Sequence, residues 1–320
     1  MRTVERTISN VMWAVIILAA VVLAWIPGRG AEAADLGPVP VSDAVSGTAP
    51  AAAFAPGDVF VSLRTGQVQW WHPDGTLNGT LINAIPGKAE GMGFDAAGNL
   101  YVTHYCADVS LCLAGNMVER FSPNGVSAGS FGGGYNCNPY AIAVDAAGRV
   151  YVGQADCTGD ILQFDGSGNP LASFDVAPDN RGSARIDLAA DGCTMFYTSQ
   201  GANVKRYDVC TRQQLPDFNR APLPGGLTYG LRILPDGGVL VSITSAIARL
   251  DASGTLVRSY DAPGEPDEWT GLDLVGDGTF WATNYASSDV VRFDLSSGAV
   301  LTSFNTGTPT TTVKDVVVKH

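Results

Sequence analysis

A large apolar residue recurs at Trp71, Phe121, Phe164, Tyr207, Leu250 and Phe293, with spacings of 50, 43, 43, 43 and 43. Each sits in a related phrase: VQWWHPDG, VERFSPNG, ILQFDGSG, VKRYDVCT, IARLDASG and VVRFDLSSG. Glycine followed by a short apolar run recurs ahead of each phrase, as GDVFVS, GNLYVT, GRVYVG, DGCTMFYTS, GGVLVS and GTFWAT. A unit in the forties, built of short β-type runs divided by Gly, Asp and Pro turns, fits a propeller blade. One such unit cannot bury its own faces, so neighbours must stack around an axis.

Two further runs complete each blade. GMGFD, AIAVD, RIDLA, GLRIL and GLDLV precede the Asp-Gly turns, and SAGSF, PLASF and LTSF lie between units. The first unit lacks an opening strand, and the chain ends in KDVVVK, which has the composition to supply one. The expected fold is therefore all-β: a six-bladed β-propeller over residues 57–320, with four-stranded antiparallel blades. The C-terminal strand closes the first blade and leaves no open sheet edge. The one long spacing places an insertion, HYCADVSLCLAGN, between the second and third strands of the second blade.

Only 16% of residues are charged, 38 are glycine, and the formal net charge is -12. An acidic chain lacks the basic surface that neutralises phosphates, so a nucleic-acid partner is excluded. Residues 1–33 read as a secretory signal: Arg2 and Arg6, an apolar run from Met12 to Ile26, then AEAAD with a cleavage site near Ala33. As a retained anchor that run is short, because a span needs about 20 apolar residues. Residues 34–56 form a Pro/Ala/Ser-rich lead-in. The chain is thus expected to be secreted or periplasmic, with no membrane partner after cleavage and six cysteines in an oxidising compartment.

The D-x-x-G-x-h-Y-V pattern followed by V-x-R-F-D resembles the NHL-type propellers and their relatives, the SMP-30/gluconolactonase and virginiamycin B lyase groups. The resemblance covers roughly residues 57–320 and implies six blades, but that architecture hosts lactonases, lyases and pure binding modules alike. In such blades the loop leading into the first strand and the loop between the second and third strands share one face. That topology selects three disulfides from the fifteen connectivities open to six cysteines: Cys106–Cys112, Cys137–Cys157 and Cys193–Cys210.

The channel mouth on that face is expected to be ringed by Glu90, Tyr140, Ala184, Tyr229, Thr270 and Lys314. Asn138, Glu268 and Trp269 fall within one or two positions, and His104, Gln154, Ser199 and Asn284 end the second strands. Glu90 and Lys314 are open to two readings: an acid/base or metal-binding pair, or an ion pair locking the closure blade. AEGMGF is similar to the Glu-Gly that opens a gluconolactonase blade, which implies Glu90 as a ligand to calcium or another divalent cation. That family's later Asn and Asp ligands are replaced here by Tyr140, Ala184, Tyr229 and Thr270. The lyase resemblance leaves His104 as its one candidate histidine. Tyr140, Tyr229 and Trp269, with Asn138, Glu268 and Gln154, suit a sugar, a peptide or a small apolar ligand; the other reading is that these rings plug the channel.

The expected function is binding of a small molecule, glycan or extracytoplasmic protein at the mouth. The rivals are a metal-dependent lactonase or lyase using Glu90, His104 and Lys314, and a structural propeller of the envelope.

Overall fold

A β-strand buried on both faces must be apolar at nearly every position, and the second run of each unit is. VFVSL, VYVGQ, VLVSI and TFWATN are buried throughout. The computed structural model describes residues 53–106, 112 and 114–320, so the signal segment and most of the lead-in lie outside the described residues. Within them the chain forms six four-stranded antiparallel sheets, and no helix is long and apolar enough to cross a membrane.

Blade 1 is assembled from both ends of this region. Val313–Val318 pairs antiparallel with Val59–Leu63, matching Val59 to Val318 and Val61 to Val316. Blades 2 to 6 follow in chain order, opening with inner strands Lys88–Phe94, Pro139–Val144, Arg185–Leu188, Thr228–Ile233 and Trp269–Leu274. Outer strands are mostly exposed and end in an apolar residue, aromatic in blades 2, 3 and 5 and leucine in blades 1 and 4. Leu256–Tyr260 is exposed apart from Tyr260, which meets Phe280 edge-on at 5.1 Å. Phe54 is buried against Phe60, Trp70 and Phe94, so part of the lead-in packs between blades 1 and 2.

The two ends of the barrel-like ring differ. At the end carrying the first-to-second and third-to-fourth turns, aspartates brace the backbone. Asp165 Oδ1 accepts from the N–H of Ser167 and Asn169, Asp251 Oδ1 from Ser253 and Thr255, and Asp294 Oδ1 from Ser296 and Ser297. The backbone and hydroxyl hydrogen bonds from Ser297 hold the Asp294 carboxyl down at about 2. The opposite face carries the strain. Of the non-glycine residues with left-handed backbone, all but Arg212 lie in its loops, including Asn138, Gln200 and Glu268.

Blades are latched to one another at their inner strands. Ser62 Oγ donates to the Glu90 carbonyl, Thr198 Oγ1 to Tyr229 and Ser242 Oγ to Thr270, each reaching the next blade. The approach is close enough that a Cβ on Gly271 would fall 2.5 Å from Asp315 Cα, so only glycine fits there.

The channel between the inner strands is lined by charge. Arg232 Nε donates to Asp273 Oδ1 at 2.6 Å, and Asp273 Oδ2 accepts the Val318 N–H at 2.7 Å. Asp187 accepts the Ile233 N–H at 2.8 Å and Asp315 the Met92 N–H at 3.2 Å. Burial pushes the Asp187 and Asp315 carboxyls up, opposed by Arg232 at Asp187 and by Arg185 and then Arg232 at Asp315. Desolvation works against the charge on Arg232, but Asp273, Asp187 and Asp315 outweigh it and hold it cationic. Arg232, Asp187 and Asp273 border a cavity of 240 Å³ lined also by Met92, Ile142 and Val317.

All six cysteines are paired, as Cys106–Cys112, Cys137–Cys157 and Cys193–Cys210. The first two staple the strained face and the third the aspartate-braced turns of blade 4. A loop-closing disulfide stabilises by about 2–4 kcal/mol, and three of them suit an oxidising compartment.

Arg232→Leu leaves buried carboxylates without their cation and is expected to cost about 3–5 kcal/mol near pH 7. The folded-state acids then have raised pKa values, so stability is greater at low pH and is lost as pH rises. The deficit should shrink near pH 5, as denaturant unfolding at the two pH values will reveal. The turn aspartates behave oppositely. Asp294 titrates at about 2 in place of its ordinary 3.8, so its contribution is complete above about pH 4 and drains away as pH falls towards about 2. Thermal unfolding of Asp294→Asn should show a smaller loss of midpoint between about pH 7 and about pH 3 than the parent chain.

Candidate functional site

The mouth of the channel lies on the strained face. The six ring positions, Glu90, Tyr140, Ala184, Tyr229, Thr270 and Lys314, all line one of two adjoining cavities of 220 and 280 Å³. The two share Tyr140, Arg181, Tyr285 and Lys314. Inner-strand residues reach the opening because each blade contributes the top of its first strand to the axis.

Glu90 and Lys314 meet across blades 2 and 1, with Nζ 3.6 Å from Oε1. Glu90 is almost wholly buried, and its second oxygen has no hydrogen-bond partner among the described residues. Tyr140 stands beside it. Burial first, and then the Glu90 carboxylate, push the Tyr140 phenol up, so it stays protonated. Arg185 enters from blade 4 and crosses the axis: Nη1 donates to the Tyr140 carbonyl at 2.8 Å and Nη2 to the Lys314 carbonyl at 3.3 Å. Its guanidinium lies 4.6 Å from the centre of the Tyr140 ring. Arg181 is fixed above by Asp156, Nε to Oδ1 at 3.0 Å and Nη2 to Oδ2 at 2.5 Å. Burial opposes the charge on Arg181, but Asp156 more than compensates.

Other expected site residues lie elsewhere. Trp269 is fully buried, its ring 5.6 Å from Phe293 and its Nε1 donating to Asp261. Alternate strand residues point to opposite sides, so with Thr270 at the channel Trp269 must face the blade core; its placement at the mouth is corrected. His104 is likewise buried between blades, with Nε2 3.0 Å from Glu119 Oε2. It shares no cavity with Glu90, so the Glu90–His104 constellation of the lyase reading does not assemble. Asn138 and Gln154 are buried braces. Asn138 Oδ1 accepts the Cys106 N–H and its Nδ2 donates to Asp156, while Gln154 Oε1 accepts the Asn136 N–H. They hold the loops and Arg181's partner instead of lining the cavity. Glu268 does line it, beside Tyr229, whose phenol burial and then the Glu268 charge push up.

Sequence reasoning missed Lys88, Arg181 and Arg185, which line the cavities outside the stations it used, and four residues that obey the same alternation. Where His104, Ser199 and Asn284 end their second strands, the next residues, Tyr105, Gln200 and Tyr285, turn into the mouth, and Arg64 holds the equivalent place in blade 1. Moving the end-of-strand position by one residue would have found all four.

A divalent cation does not fit this arrangement. Glu90 is the one carboxylate lining the 280 Å³ cavity, where Arg64, Lys88, Arg181 and Lys314 surround it with positive charge. The only cluster of three metal-type ligands among the described residues is Cys193, Asp208 and Cys210, and its two sulfurs are already joined as a disulfide.

No protein-family profile matches the chain, and no curated protein matches it in sequence. Solved structures do. A chain of a nidogen/laminin complex superposes with a TM-score of 0.65 at 14% identity, covering 81% of this chain and 97% of that one. A protein of unknown function from Bacteroides caccae gives 0.64 at 14%, covering 82% and 98%. Virginiamycin B lyase from Staphylococcus aureus gives 0.54 at 16%, covering 79% and 86%. At such identities the likeness is one of fold: this chain shares the six-bladed propeller with a laminin-complex component and with a lyase, two proteins of different function.

Proposed function

We propose that this protein is an exported binding module that engages its ligand, a small molecule, a glycan or an extracytoplasmic protein, at the channel mouth. The observation that carries this reading is the convergence of Tyr105, Tyr140, Tyr229 and Tyr285 with Arg181, Arg185 and Lys314 on two adjoining cavities above a charge-lined channel. Aromatic walls with a few fixed polar groups are the usual lining of a small-ligand site. The left-handed loops of the same face support it, since backbone strain persists only where surrounding structure enforces it and gathers at binding and catalytic sites. The enzyme reading loses support because its acid and its histidine stand apart.

A ligand drawn from a panel of small molecules and glycans should raise the unfolding midpoint of the mature chain, by the equivalent of about 2.7 kcal/mol at a hundredfold excess over Kd. Tyr229→Ala should abolish that rise while leaving the unliganded midpoint within a few degrees, because the ring is only half buried. A ligand-induced rise that survives both Tyr229→Ala and Tyr285→Ala would move the site away from the mouth. Exhaustive chelation, then calcium, magnesium or zinc, should leave the midpoint where it was. A metal-dependent rise lost in Glu90→Gln would restore the metal reading.

A further inference from the structure

The mouth is positively charged in an acidic protein. Five of the chain's 19 lysines and arginines line its two cavities, against two carboxylates, Glu90 and Glu268, although the formal net charge is -12. Random placement would not gather a quarter of the cations at one opening, and low-dielectric walls focus the field they produce.

The manner in which these cations are held matters more than their number. Lys314 Nζ lies 4.6 Å from the centre of the Tyr285 ring, and the Arg185 guanidinium equally close to Tyr140. An aromatic face attracts a cation through its quadrupole but carries no net charge to neutralise it. Among the described residues Arg64, Lys88 and Arg185 form no ion pair with a carboxylate. Arg185 is 5% exposed, bonds only to carbonyl oxygens, and keeps a buried Nε without a partner. A buried guanidinium without a paired anion is costly. The buried acids nearby are already engaged: Lys314 faces Glu90, and Asp315, whose carboxyl feels Arg185, is shared with Arg232 and accepts the Met92 N–H.

We infer that the mouth is a receptor for a small organic oxyanion, a carboxylate, phosphate or sulfate carried on a ring or short apolar body. This rests on the mouth being the ligand site. The oxyanion seats over Arg185 and Lys314 on the cavity floor, and the body lies against Tyr140, Tyr229 and Tyr285. Arg64, exposed and donating to the Tyr285 hydroxyl at 2.8 Å, stands at the rim, where its charge draws the anion in.

Calorimetric titration of the mature chain with benzoate, phenyl phosphate, phenyl sulfate and the neutral isostere benzamide tests the assignment and separates the three anion types. At least one anion should bind with a Kd near or below about 1 mM while benzamide binds at least about tenfold more weakly. The affinity should fall as salt is raised past about 0.15 M. Lys314→Gln should weaken binding about tenfold or more. Because that change also unpairs Glu90, Arg64→Gln, at an exposed position, serves as the second variant and should lower affinity without moving the unfolding midpoint. Benzamide binding as tightly as the anions, or anion binding indifferent to both variants, overturns the oxyanion assignment while leaving the mouth as a ligand site. No binding by any of the three anions up to about 20 mM overturns it as well. The mouth itself then stands or falls on the ligand panel and the Tyr229 and Tyr285 variants.

Discussion

Arg232, lying among Asp187, Asp273 and Asp315 inside the central channel, is the contact on which the rest of the ring depends. Six blades around an axis leave a hole that apolar side chains from inner strands this narrow do not fill. Here one cation and three acids line it, and lone pairs of those acids take backbone N–H groups. Through them blade 4 reaches blade 5, blade 6 reaches blade 1, and blade 1 reaches blade 2. A buried ionic group gives little net stability compared with a well-packed apolar one. Its value here is geometric, because each carboxylate accepts from one particular amide on a neighbouring blade and so sets how the blades meet.

That floor also divides the molecule into a structural end and a receptive one. At one end short turns are satisfied internally by aspartates accepting two backbone amides apiece. At the other end the loops are longer, two disulfides hold them, and several residues adopt left-handed backbone. Cys137–Cys157 ties the approach to blade 3 to that blade's own second-to-third loop. Asn138 and Asp156, the neighbours of those cysteines, together orient Arg181. Structural braces and mouth cations are thus one connected set, and the strain of the loops is met by bonds that also position charge.

The likeness to a laminin-complex component and to a lyase separates fold from chemistry. The same six blades support both proteins, so the features that distinguish this chain are those at its mouth. They are tyrosine walls, cations held by rings and carbonyls, and a lone buried glutamate facing a lysine. His104 illustrates the point from the other side. A histidine at the end of a second strand looks like site chemistry in the sequence, yet it is a wholly buried partner of Glu119, which also accepts the Ala84 N–H of the neighbouring blade's outer loop.

Architecture was legible in the chain because propeller packing is periodic. The 43-residue spacing, the Asp-Gly turns and the valines of KDVVVK each answer to a local requirement repeated blade by blade, and each cysteine pair follows from its two members sharing one face of a blade. Glu90, Tyr140, Tyr229 and Lys314 followed from the same period and do line the mouth. What the period could not resolve was a single step along a strand. Side chains alternate every residue, so an offset of one exchanged His104 for Tyr105 and Asn284 for Tyr285, and it set Trp269 where only Thr270 belongs. Nor could sequence bring Arg185 to the Lys314 carbonyl or gather Arg232 with its three acids. Those groups stand far apart along the chain, and only closing the ring brings them together.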